Sequence, residues 1–285
     1  MQIKDKVVLV YGGTSGIGKE LVCKLLKLGA YVVFTGRNQK NGDDLKEELI
    51  KEISSKDEES DDSRVLYHKC DITDWPSHIL IYSEVKEKLG KSIDIVIVVA
   101  GMMDSSSIID DSEQDGIYRT IEVNLTGAAK ANRVAIQHFL KEKKAGCVIN
   151  TSSIFGLCAA PLGPLYAASK HGIIGLTKSY GNLFRSTDIR VNCVAPHFVE
   201  TPMLAYGSKT VVDKFGTITM DNCIDAYLRL IEDDTLNGDI LTISTEKSYV
   251  EKRYGDEIQE RLDRVCKKRR EGELDKIRDK FGYPN

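Results

Sequence analysis

The feature that most constrains this chain is a glycine-rich turn near its start. A short apolar run, Val7–Tyr11, leads into Gly12-Gly13-Thr14-Ser15-Gly16-Ile17-Gly18, and a helical pattern opens at once. In that pattern Ile17, Leu21, Val22, Leu25 and Leu28 form one apolar stripe, and Gly29 closes it. A strand that turns on glycines into a helix presents free backbone N–H groups and the positive end of the helix dipole, which together suit a phosphate. Gly12 permits the tight turn, Gly16 lets backbone approach a pyrophosphate, and Gly18 allows helix and strand to pack closely. Thr14, Ser15 and Ile17 complete the expected cradle. The spacing is Gly-x-x-x-Gly-x-Gly, for which a merely structural turn is the competing reading. Its position directly after the first strand favours a dinucleotide.

The rest of the chain alternates strand and helix patterns. Apolar runs recur at Tyr31–Thr35, Val65–His68, Ile93–Val99, Cys147–Thr151, Ile189–Val194 and Asp239–Ser244, with longer helical patterns at Ile117–Leu140 and Tyr166–Phe184. Most runs are continuously apolar, as strands covered on both faces are. The pattern predicts an α/β fold with a doubly wound, mostly parallel, seven-stranded sheet and helices on both faces. One domain is expected over residues 1–248, followed by a charged, helical extension over 249–285 with Ile258, Leu262 and Val265 on one side. Lys56–Ser63 reads as a solvated loop.

Composition narrows the function. With 285 residues, 41% hydrophobic and 29% charged, the chain has the make-up of an ordinary folded protein. A net charge of −3 argues against nucleic acid as a partner, and the basic run Lys267–Arg270 is balanced by nearby acids. The longest apolar runs, such as Ile95–Met103, reach about half of the roughly 20 residues a membrane span needs. Seven scattered cysteines without a Cys-x-x-Cys pair suggest reduced thiols, no metal site and a cytoplasmic setting. The Asn-x-Ser/Thr triplets at Asn124 and Asn150 read as chance matches.

The second strand ends Phe34-Thr35-Gly36-Arg37-Asn38. An NAD site places an acidic side chain here against the ribose 2′-hydroxyl. Gly36 supplies no carboxylate, and Arg37 offers a guanidinium suited to a 2′-phosphate. NADP(H) is therefore expected ahead of NAD(H), with Arg37 and Asn38 in the coenzyme site. Asp71-Ile72 follows the third strand, where an aspartate can accept from an adenine amine.

Tyr166 and Lys170 are four residues apart at the start of a helical pattern, and so share a face. A tyrosine exchanges protons poorly at neutral pH, but a nearby ammonium favours the phenolate and draws its pKa down. The spacing alone is unspecific, because Tyr82 and Lys86 repeat it. Context separates them. Ser153, thirteen residues before Tyr166, ends a strand, whereas the corresponding position before Tyr82 is Lys69. Strand ends are where α/β folds bind ligands, and a serine hydroxyl there can bond a substrate carbonyl. Ser152 competes for that role, on the opposite side of the strand.

Together these motifs resemble the short-chain dehydrogenase/reductase family, roughly over residues 5–245. The match adds Ala100-Gly101, Asn124 in Val-Asn-Leu-Thr-Gly, and Pro196, Val199 and Thr201 to the motifs above. The resemblance implies a Rossmann-type fold, hydride transfer between a nicotinamide and an alcohol/carbonyl pair, and a homodimer or homotetramer. It also implies Tyr166 as general acid/base, Ser153 as carbonyl polariser and Lys170 as ribose ligand. Asn124 would hold a water in the proton relay. Leu228–Ser244 and Tyr166–Gly175 look most like the 15-hydroxyprostaglandin dehydrogenase branch, which implies a small apolar alcohol or ketone substrate. Phe198, Met203, Leu204, Tyr206, Val211, Val212 and Phe215 are candidates for its pocket wall. Four positions depart from the family pattern: Tyr11 for Thr, Val98-Val99 for Asn-Asn, and His197 for Gly. Gly163 also stands where that branch has a glutamine. The alternative is a nucleotide-binding interaction protein with little turnover.

Overall fold

A computed structural model describes residues 1–54, 62–104, 117–185, 187–205, 216–245, 248–251 and part of 265–280. Among the described residues eight strands form one sheet. They are β1 Val7–Tyr11, β2 Tyr31–Gly36, β3 Val65–Lys69, β4 Ile95–Val98, β5 Gly146–Thr151, β6 Ile189–Pro196, β7 Ile240–Ile243 and β8 Ser248–Val250. Their spatial order is β3-β2-β1-β4-β5-β6-β7-β8. All pairings are parallel except β7 with β8. The sheet thus has one strand more than the seven expected, and the extra one crosses the boundary expected at 248. The order reverses between β1 and β4, where open α/β sheets bind their ligands.

Side-chain alternation explains the layers. Val8 and Val10 of β1 join one core with Leu21, Leu25, Leu45 and Tyr227. These come from β1 and helices α1 Gly16–Lys27, α2 Gln39–Ser54 and α6 Met220–Glu232. Val7, Leu9 and Tyr11 join the other, with Ile81, Phe139 and Ile173. Those belong to α3 Trp75–Leu89, α4 Ala128–Glu142 and α5 Pro164–Gly181. The long helix expected from Ile117 starts later, as a short turn Arg119–Ile121 and a π-helical stretch Glu122–Gly127 leading into α4.

Of Lys56–Ser63 only Asp62 and Ser63 are described, at the start of the turn Asp62–Arg64, and most of the charged tail lies outside the described residues. No described helix is long and apolar enough to cross a membrane. Among the described residues no group of His, Cys, Asp and Glu could hold a metal ion. Asn124 and Asn150 are both buried, which closes their triplets to glycosylation.

Candidate active site

The site lies at the carboxyl ends of the strands. Gly12 has a φ of +83°, and a Cβ there would lie 2.7 Å from the backbone of Ala100 after β4. At Gly18 a Cβ would lie 2.1 Å from the Gly12 carbonyl oxygen. The turn therefore closes on its own helix and on β4 at distances only glycine allows. Ser15 precedes α1 in extended conformation, and its side chain makes no capping bond. The first-turn N–H groups stay available for an anion. Thr201, from the segment after β6, sits 3.3 Å from where a Gly16 Cβ would be, so that segment crosses the turn. The cradle fits the pyrophosphate of a dinucleotide.

At the end of β2, a Cβ on Gly36 would meet Thr14 Cγ2 at 2.6 Å and Oγ1 at 2.8 Å. Thr14 fills the space an acidic side chain would need. Arg37 and Asn38 follow, both exposed.

Asp71 is more committed than the sequence implies. Its Oδ1 accepts from the Thr73 N–H at 2.9 Å and hydroxyl at 2.8 Å, and its Oδ2 from Arg119 at 2.8 Å. Burial works to raise its pKa, but these bonds outweigh it and hold the carboxyl below the usual range. Arg119, unremarked in the sequence, thus stands beside the expected adenine site. The Ile72 carbonyl accepts from His78 Nε2 at 2.8 Å, and His78 Nδ1 meets the Tyr11 hydroxyl at 3.0 Å. This accounts for Tyr11. Its phenol lies in the α3 layer, fully buried and bonded, while its carbonyl still accepts from Val99 and Ala100.

Gly101 lies between two expected catalytic groups. A Cβ there would be 3.3 Å from Asn124 Oδ1 and 3.5 Å from Lys170 Nζ. Asn124 accepts from the Met102 N–H and donates to the Met102 carbonyl, both at 2.8 Å. Its amide also donates to Ser169 on α5 at 3.1 Å. Asn124 thereby stitches the segment after β4 to α5. Val98 is buried opposite Tyr11 in the β1–β4 register, so the polar side chains missing from 98 and 99 are replaced by packing.

Tyr166, Lys170 and Ser153 are all buried. Ser153 stands just past β5, and its hydroxyl accepts from the Phe155 N–H at 3.2 Å. Burial raises the Tyr166 pKa, and a bond with the Ser153 hydroxyl pulls it partly back. Ser152 turns the other way and donates to the Lys170 carbonyl at 2.8 Å. Lys170 Nζ donates to the Thr151 carbonyl at 2.9 Å and lies 5.5 Å from the centre of the Tyr166 ring. Burial lowers the Lys170 pKa to about 8. The expected acidification of the phenol is thus not a property of the protein alone. Desolvation acts on both groups, and the ammonium is turned toward a carbonyl.

Two further residues complete the site. Asp104 Oδ2 accepts from the N–H groups of Leu165 at 3.2 Å and Tyr166 at 3.3 Å, tying the segment after β4 to the start of α5. Phe155 packs edge-on against Tyr166 at 6.4 Å and against Phe198 at 5.9 Å, and His197 meets Phe198 at 4.8 Å. Burial lowers the His197 pKa. An aromatic wall thus runs from the tyrosine to the segment after β6. Pro196 ends β6, and Val199 bridges to Ile218. Met203 and Leu204 sit in the short helix that follows, whereas Tyr206, Val211, Val212 and Phe215 lie outside the described residues. Asp104 carried no sequence signal. Phe155 had one, its place two residues after Ser153. The rival Tyr82 is on α3, its hydroxyl buried without a hydrogen-bond partner among the described residues and its ring against His138 at 4.8 Å.

A dinucleotide cradle beside a buried Ser–Tyr–Lys cluster defines a class of oxidoreductase. Residues 6–211 match the short chain dehydrogenase family, and the chain belongs to it. It is 30% identical over 267 residues to 15-hydroxyprostaglandin dehydrogenase of Rattus norvegicus, an enzyme named for NAD(+), covering 87% of this chain and 94% of that one. A 3beta-hydroxysteroid dehydrogenase of Mediterraneibacter gnavus is 29% identical, covering 75% and 73%. Among solved structures, a short chain dehydrogenase from Bacillus anthracis superposes with a TM-score of 0.76 at 26% identity, covering 86% and 96%. An actinorhodin polyketide ketoreductase solved with NADPH has the same fold, with a TM-score of 0.73 at 23% identity and coverage of 84% and 96%.

Proposed function

We propose that the protein is an NADP(H)-dependent oxidoreductase that interconverts an apolar secondary alcohol and its ketone. The burial of Ser153, Tyr166 and Lys170 together beside the glycine turn carries the catalytic reading. A bound nicotinamide would supply or accept the hydride. Tyr166 holds the proton exchanged with the substrate oxygen, and Ser153 donates a hydrogen bond to that oxygen. Lys170, beside Gly101, binds the coenzyme ribose and carries the charge that eases loss of the phenol proton. Asn124 keeps the segment after β4 in register with α5 and lines the relay. Thr14 in the space at Gly36, with Arg37 next to it, supports NADP(H). The rival coenzyme, NAD(H), is favoured by the relative named for it. The aromatic wall supports an apolar substrate. Six described cysteines are free, in keeping with a cytoplasmic setting, and a homodimer or homotetramer is expected by light scattering.

The deciding experiment follows NADPH and NADH oxidation over a panel of ketones. Turnover with NADPH is expected, falling by at least about a hundredfold in Tyr166→Phe. Unchanged turnover in that variant rejects the mechanism. Coenzyme binding without turnover on any ketone favours a nucleotide-binding interaction protein.

A further inference from the structure

Arg37 can select a 2′-phosphate only if the loop that carries it is held in place. Gly36 has no side chain with which to hold it, and Arg37 is exposed. The support comes from the neighbouring strand. Tyr67 on β3 is buried beneath the loop, its hydroxyl 2.9 Å from the Gly36 carbonyl oxygen and 2.9 Å from that of Asn38. Those two carbonyls bracket Arg37. The ring is seated from two sides: it lies 5.2 Å from Phe34, and it fills the space at Gly42 of α2, where a Cβ would be 2.0 Å away. Burial raises the phenol's pKa, with Asp43 and Cys70 adding to it, so the hydroxyl remains a donor.

We propose that Tyr67 is a positioning residue for coenzyme selectivity. Its hydroxyl, shared between the carbonyls of Gly36 and Asn38, keeps the Arg37 loop in the shape that meets a 2′-phosphate. The inference deepens the NADP(H) reading and rests on it. A loop already ordered by folding loses less entropy when the phosphate arrives. Ligands without that phosphate make no use of the guanidinium, so they do not register the difference.

The test is calorimetric binding of 2′,5′-ADP and 5′-AMP to the full-length wild type, Arg37→Ala and Tyr67→Phe. Neither ligand contains a nicotinamide, so the readout is independent of turnover. The wild type is expected to prefer 2′,5′-ADP, and Arg37→Ala to lose most of that preference. Tyr67→Phe keeps the ring and its packing but loses a hydrogen bond. It is expected to bind 2′,5′-ADP about tenfold more weakly and 5′-AMP within about twofold of wild type. A wild type without preference, or an Arg37→Ala that keeps it, sinks the NADP(H) reading and this inference with it. A Tyr67→Phe that retains the preference Arg37→Ala has lost leaves that reading standing and overturns the role of Tyr67. Equal weakening toward both ligands, with a lowered melting temperature, reduces Tyr67 to packing and also overturns it.

Discussion

Lys170 shows what burial does to a group whose position was readable from spacing alone. Its pKa falls to about 8 in the fold, against about 10.4 in an unfolded chain. Between those values the unfolded chain keeps a proton that the folded protein has released, so stability rises with pH across that window. Below about pH 8 the cost of a buried cation is fully present. Lys170→Met is therefore expected to be more stable at pH 7, on the order of 2 kcal/mol, with the difference vanishing by about pH 10. Denaturant unfolding at both pH values checks this, and turnover should be lost. The raised pKa of Tyr166 keeps its phenol protonated at neutral pH. Ketone reduction should then vary little between about pH 6 and 8, while alcohol oxidation climbs with pH, as initial rates in both directions would show. The Tyr–Lys spacing was legible because four residues is a helical repeat. The environment of the pair was not, because it depends on strands β4 and β5. Tyr11 makes the same point: a phenol stands where the family has a threonine, and His78 supplies its partner from α3. Tyr11→Phe leaves that imidazole nitrogen unpaired, at a cost of about 1–3 kcal/mol on chemical denaturation.

At the scale of elements, the central strands were legible because both of their faces are covered and their sequences are uniformly apolar. β8 was hidden for the opposite reason. Ser248 and Tyr249 are exposed, and among the described strands β8 pairs with β7 at the sheet edge, so it carries only a weak apolar signature. The π-helical stretch was hidden as well, since its apolar positions continue a helical period. Asn124 explains its placement: the side chain engages Met102 on one side and Ser169 on the other. The cap on α5 reaches across from another part of the chain. Asp104 accepts from the N–H groups of Leu165 and Tyr166, so a loop that flanks the coenzyme cradle also sets the start of the catalytic helix. Asp104→Ala should cost about 1 kcal/mol of stability. It should also slow turnover by about tenfold through misplacement of Tyr166. Asp104→Asn, which keeps an acceptor oxygen, should recover most of both in parallel melting and kinetic measurements.

Across the whole molecule, strand pairing with β7 continues through Val250. Glu251 donates its N–H to Ile240, and its carboxylate accepts from Thr242, beyond the last residue of β8. A chain ending after Glu251 should melt within about 2 °C of the full length, while one ending after Thr245 should melt several degrees lower. The sheet also divides the labour. On the proposed roles, β1 to β3 carry or border Arg37, Tyr67 and Asp71, and β4 to β7 carry or border Asn124, Ser153, Tyr166, Lys170 and Phe198. The halves come together where a Cβ on Gly12 would meet Ala100 and one on Gly16 would meet Thr201. Coenzyme preference should therefore be a transplantable trait: residues 30–70 from an NAD-preferring relative could be grafted without disturbing the chemistry. Thr14 is the compatibility lock on such a chimera. It lies outside the graft yet occupies the room an incoming acid at 36 would claim, so the exchange should take only when residue 14 is made smaller too.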